Sequence, residues 1–252
     1  FAQTFPTGTH AMWLYYWLAA HGINPFVDVK NIVVPPPQMV ANMRVGNMDG
    51  FCVGEPWNAR AIADGIGFTA VTTQEIWKDH PEKVLGTTAE FVQKYPNTAR
   101  AMVAAILEAS KYIDTMSNRG KVAGIIAAKS YVNTEAVVIE GRMKGEYENG
   151  LGKKWKDANY MKFYNDGKVN FPYLSDGMWF LTQHKRWGLL KENVDYLAVA
   201  KSVNQVDLYK QAAALAKVPV PASPMRTSKL IDGVVWDGKN PAAYAGGFKV
   251  KA

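Results

Sequence analysis

A chain of 252 residues with 48% hydrophobic content and a net charge of +7 is long enough to bury one large core or two lobes. It contains no run of about 18 apolar residues, which excludes a membrane-spanning helix. Its single cysteine, Cys52, excludes an internal disulfide, and four scattered histidines (His10, His21, His80, His184) give no metal-type spacing. From Lys201 onward eight Lys/Arg stand against three Asp. These charges never form runs or interleave with aromatics, so the sequence offers no nucleic-acid footprint. It reads instead as a solvated basic surface biased toward small anions.

The chain opens on Phe1, inside an expected strand over 1–5. Residues 1–252 carry no basic segment followed by a cleavable apolar one, so no targeting signal is expected within them, and an upstream part is expected to be missing. The run Phe5-Pro6-Thr7-Gly8-Thr9-His10 then reads as a strand end, a tight turn and a helix start, with Thr9 as N-cap. A helix over 9–21 carries Trp13, Trp17 and Ala20 as its apolar stripe and closes at Gly22. A strand over 29–34 centres on Ile32-Val33-Val34. Pro35-Pro36-Pro37 stops it and starts a helix over 38–45. A third strand covers 50–53, and there Cys52 reads as a small buried hydrophobe.

Strands joined by helices are parallel, so this is an α/β unit of βαβαβ form. Ligands of such sheets bind at the carboxyl ends of strands. Those ends put the loops 6–9, 35–37 and 54–56 on one edge, beside His10. The first turn of a helix offers unpaired N–H groups and a partial positive charge, and glycine permits close approach. Gly8, Thr9 and His10 are therefore read as an anion seat. Glu55, before Pro56, is read as a structural residue fixing the strand-to-helix turn.

Beyond the seat, a helix to Asp64, a strand over 68–72, a short helix over 73–79 and an extended piece over 83–86 are expected. Thr87-Thr88-Ala89-Glu90 reads as a capping box opening a helix to Tyr95. Helices follow over 97–116, 121–129, 134–142, 176–187 and 205–216, with a surface loop over 144–159. Val218 to Ala252 reads as an extended tail anchored by Val235-Trp236 and Tyr244. The division expected is residues 1–82 as the lobe with the seat, 83–217 as a mainly helical part, and 218–252 as the tail.

Several stretches together resemble the nitrate-binding proteins of bacterial ABC transporters and their bicarbonate-binding relatives. They are Thr7-Gly8-Thr9-His10, Trp17-Leu18-Ala19-Ala20, Val33 to Met43, Phe51-Cys52-Val53-Gly54-Glu55-Pro56-Trp57-Asn58, and His80-Pro81-Glu82-Lys83. The match is specific up to Lys83 and looser afterwards, through Trp179 to Thr182, Arg186-Trp187-Gly188 and Asn240 to Tyr244. The resemblance implies a two-lobed clamp of the type II periplasmic-binding-protein kind. This chain would carry one βαβαβ lobe plus C-terminal helices of the other. It implies capture of nitrate, with nitrite as the alternative ligand, in the cleft and delivery to a permease and ATPase complex in the inner membrane. It also implies a periplasmic location, with any membrane anchor in the missing N-terminus, and no cofactor.

By the same resemblance His10 hydrogen-bonds the anion, Lys83 supplies charge, and Pro36 and Val53 line the pocket. The remaining contacts, a Trp and a Gln among them, belong to a first lobe preceding Phe1. Thr7 and Ala11 depart from the family pattern, which favours Gly and Asp there. Nitrate carries three weak acceptors and no proton, so it calls for donors all round and no nearby carboxylate. Bicarbonate needs an acceptor for its O–H, and Lys83 is not one. The competing readings are a cytoplasmic nitrate sensor of the same fold, a bicarbonate-binding relative, and an enzyme. An enzyme would need a nucleophile with a base, or a metal set, and neither is present.

Overall fold

A computed structural model describes residues 1–252. Its first unit is a small parallel sheet around β1 (Ala2–Gln3), with β2 (Ile32–Val33) paired in register Ala2 to Ile32 and Gln3 to Val33. Phe51 bridges Ala2 on the other side, also in parallel. β1 is thus central: the Ala2 and Gln3 carbonyls accept from Cys52 N and Val34 N, both at 3.0 Å. The expected strands are present in order and direction but are far shorter than read. The prolines at 35–37 cut β2, and the chain turns off β1 at Thr4, leaving Phe5 67% exposed. Gly50 lets the Phe1 ring lie across the third segment, since a Cβ there would stand 3.1 Å from the ring.

Helix α1 (Thr9–Ala20) fills the centre of the molecule. Nine of its 12 residues are buried, and Trp17 and Ala20 are only partly so. The expected single stripe is therefore wrong: the helix is apolar all round because it is enclosed on every side. Trp13 packs on Trp77, Trp179 and Phe180, with centroids 5.8, 5.1 and 5.6 Å away. Tyr16 packs on Trp179 and Phe248. Thr9 is also not the N-cap. Gly8 holds that position without a side-chain bond, and the Thr9 hydroxyl turns elsewhere. Gly22 does take the left-handed conformation after the last turn, at φ 81°.

A 3-10 turn (Pro36–Gln38) leads into α2 (Met39–Arg44), which buries Met39 and Val40 and packs Met39 against Ala2, Val34 and Val53. Helix α3 (Trp57–Ala63) follows. No strand forms over 68–72; there Thr69 N donates to Asn149 O across to a hairpin. Helix α4 (Thr73–Ile76) is opened by a capping box that sequence reading missed: Thr72 N and its hydroxyl both donate to Glu75. The box read at 87–90 is shifted by one, since Thr88 caps α5 (Ala89–Lys94) by accepting from Phe91 N.

Helices α6 (Pro96–Asp114), α7 (Met116–Ile126) and α8 (Ala136–Met143) form the second unit. Residues 144–159 are not a plain loop. They hold an antiparallel hairpin of β3 (Glu146–Glu148) and β4 (Lys154–Lys156), with Tyr147 stacked on Trp155. Helices α9 (Leu174–Arg186), α10 (Tyr196–Val203) and α11 (Val206–Leu215) complete the helical part. α10, capped by Asp195, had no sequence expectation. Residues 218–252 are not extended throughout: they form β5 (Ser228–Lys229), β6 (Val235–Trp236) and α12 (Pro241–Gly246). Trp236 and Tyr244 do anchor this part, whereas Val235 is exposed.

Candidate anion site

The start of α1 lies against a cavity of about 2000 Å³. His10, Val53, Gly54, His80, Glu82 and Lys83 are among the residues that line it. His10 is buried, and its Nδ1 stands 3.4 Å from the Thr4 hydroxyl. The other ring nitrogen, Nε2, faces Gly54: a Cβ at position 54 would lie 3.6 Å from it and 3.9 Å from Lys83 Nζ. Glycine thus leaves one small space bounded by a histidine N–H donor and a lysine ammonium. Burial lowers the basicity of His10; Glu82 opposes that, while Lys83 and His80 reinforce it.

Of the residues singled out in the sequence, the structure brings His10, Val53 and Lys83 to this cavity. Gly8 and Thr9 belong to the turn that sets His10 in place and do not line it. Pro36, half-buried, opens the 3-10 turn on the neighbouring loop. Sequence reasoning gave His80 and His184 no role, yet both hold the seat's walls. His80 Nδ1 meets the Pro81 carbonyl at 2.9 Å, and its Nε2 meets the Thr73 hydroxyl at 2.7 Å. With Trp13 of α1 4.9 Å away, His80 fixes the segment that carries Lys83 to the central helix. His184, on α9, donates from Nε2 to the Thr7 carbonyl at 3.0 Å and so ties down the turn before α1.

Glu55 is structural, as read. Its carboxylate accepts from Ala59 N at 3.0 Å, pinning α3, and pairs with Arg142 Nε at 3.2 Å. Cys52 packs against the aromatic core, and burial pushes its thiol up to about 12. Arg226, the other cation near His80, is held bidentately by Asp176 at 2.8 and 2.7 Å. It is therefore already neutralised.

One expectation fails. The seat is not free of carboxylates. Glu82 Oε1 lies 3.4 Å from the Thr9 hydroxyl, 3.9 Å from His10 Nε2 and 3.2 Å from Lys83 Nζ. The sequence placed Glu82 beside Lys83 but gave no sign that it folds back onto the donors. The seat holds an acceptor as well as donors, so the lack of a carboxylate at position 83 does not by itself separate nitrate from bicarbonate.

A parallel sheet, a helix N-terminus at its carboxyl edge and a donor-lined cleft define the class. This is an α/β lobe, with its helical extension, of a periplasmic-binding-protein-like clamp. The chain belongs to the NMT1-like family, which matches residues 1–127. It is similar to the nitrate/nitrite binding protein NrtA of Nostoc sp., with 44% identity over 98% of this chain and 57% of that protein. It is also similar to the bicarbonate-binding protein CmpA of Synechococcus elongatus, with 32% identity over 99% of this chain and 58% of that one. The crystal structure of the periplasmic nitrate-binding protein NrtA from Synechocystis superposes with a TM-score of 0.95 at 40% identity, over 99% of this chain and 66% of that one. The chain thus spans a little over half the length of the relatives it matches.

Proposed function

We propose that the protein is the solute-binding component of an ABC importer, which takes nitrate, and nitrite as a close analogue, into the cleft and delivers it to a membrane permease and ATPase. The observation that carries this reading is the pair His10 Nε2 and Lys83 Nζ, which both face Gly54. Each charge-assisted hydrogen bond to such an anion contributes about 1.5–3 kcal/mol net. Two or three of them, with a second wall closing over the cleft, support micromolar binding, roughly 8 kcal/mol. The greater likeness to nitrate-binding than to bicarbonate-binding relatives favours nitrate. A periplasmic location follows from the same likeness. The opposite wall, including the Trp and Gln contacts, is assigned to a first lobe outside residues 1–252.

Glu82 favours a second reading, bicarbonate, because it offers an acceptor for an O–H. Titration calorimetry on the full-length protein separates the two. The expected result is nitrate binding with little response to sulfate or bicarbonate. Lys83→Glu is expected to abolish nitrate binding, and unchanged affinity in that variant would sink the site assignment. Residues 1–252 alone are expected to bind nitrate poorly, with half the cleft wall absent.

A further inference from the structure

Three donors converge on one atom of this molecule. The Thr9 hydroxyl, His10 Nε2 and Lys83 Nζ all lie within 3.9 Å of Glu82 Oε1. These groups come from two separate segments, α1 and the stretch after α4. Lys83 neighbours Glu82 in the chain, whereas the approach of Thr9 and His10 to the same carboxylate oxygen is a product of the fold. Lys83 is 82% exposed and Glu82 is only partly covered, so the pair is held loosely. His10 is too far from Glu82 for a hydrogen bond, leaving its Nε2 with an electrostatic partner and no direct one.

We infer that Glu82 is the site's resident anion: its carboxylate neutralises the seat's donors and has to give way for a ligand anion to engage them. This rests on the proposed nitrate function and adds what sets its threshold. A monovalent anion between His10 and Lys83 meets a second negative charge unless Glu82 swings off or is protonated. Like charges brought together in a partly desolvated site weaken binding substantially. Affinity is therefore a contest between two anions for one set of donors. The protein tunes it through a residue that need not touch the ligand. The contest also discriminates between ligands. An anion carrying an O–H, such as bicarbonate, could use Glu82 as an acceptor, whereas nitrate could only compete with it.

The test is titration of nitrate and of bicarbonate into the unaltered protein and Glu82→Gln, with far-UV dichroism confirming the fold. The inference expects nitrate to bind E82Q about tenfold or more tighter. Nitrate affinity that is equal or weaker in E82Q overturns it, as does bicarbonate affinity that rises in E82Q as much as that of nitrate. Nitrate binding in E82Q alone supports it. No nitrate binding in either protein removes the proposed function, and the inference with it. A second readout needs no ligand. Because Glu82 raises the basicity of His10, the His10 imidazole titration followed by NMR is expected to move down in E82Q. A midpoint that stays put overturns the resident role.

Discussion

Burial depresses the basicity of three histidines, and all three surround the seat: His10, His80 and His184. Each binds a proton more weakly in the folded chain than in the unfolded one. Their contribution to stability is therefore full above the ordinary histidine range and is lost as pH falls through about 6.5. Urea unfolding is expected to give a lower midpoint at pH 5.5 than at pH 7.5. Bound nitrate favours the imidazolium form of His10, so binding is expected to take up a proton near neutrality. Calorimetry in buffers of different ionisation enthalpy reads that uptake directly, and nitrate should narrow the gap between the two midpoints. At Gly54, a methyl group would stand in ordinary contact with both donors but in the space between them. Gly54→Ala is expected to weaken nitrate binding about tenfold or more, by displacing a charge-assisted hydrogen bond, with little effect on thermal stability. Equal loss of stability and affinity would instead mark position 54 as structural.

Elements near the site were largely legible in the sequence, and their lengths were not. Direction and order of the three sheet segments follow from strands punctuated by Pro and Gly. Their extent depends on where the chain leaves the sheet, which local propensity does not encode. The hairpin over 146–156 was hidden because its two aromatics sit among charged residues, and the stack of Tyr147 on Trp155 exists only after pairing. The helical unit is secured by a group that no pattern announced. Asp114 accepts from Phe163 N, Tyr164 N and Asn165 N at 2.8, 2.9 and 2.8 Å, and from Arg119, which is fully buried. Arg119 also stacks on Tyr160 and Phe163. Asp114→Ala leaves that guanidinium buried without its counterion and three amides without an acceptor. A loss of roughly 3–5 kcal/mol is expected by denaturant titration. A loss below about 1 kcal/mol, the scale of an exposed pair, would show the loop to be held by its aromatics alone.

Over the whole molecule, His10 and the carboxyl edge were read from one segment's own chemistry, whereas Lys83 was reached only through the family resemblance. Glu82, His80 and His184 were not, because their roles come from tertiary approach: α9 reaching Thr7, and the stretch after α4 folding back on α1. The same cavity that receives His10 and Lys83 continues past exposed apolar side chains, among them Phe68, Val84, Leu85 and Met102. Exposed apolar side chains along a cleft suit an interaction face. It accords with the proposal that the anion is held between two walls.

The enclosure of α1 also dictates the order of events when the chain folds. The helix lies at residues 9–20, yet much of what covers it lies near the other end of the sequence. Tyr16 meets Asp232 across 216 residues, Thr7 meets His184 across 177, and Asn24 meets Lys251 across 227. Arg186, stacked on Tyr16 and Phe248, donates from Nε to the Val250 carbonyl, and its own carbonyl accepts from Ala252 N. Local contacts therefore cannot complete the core, and loop closure over nearly the full length has to come first. While the chain is being made, the face of the aromatic helix that carries Tyr16 stays uncovered until residues 228–252 have followed.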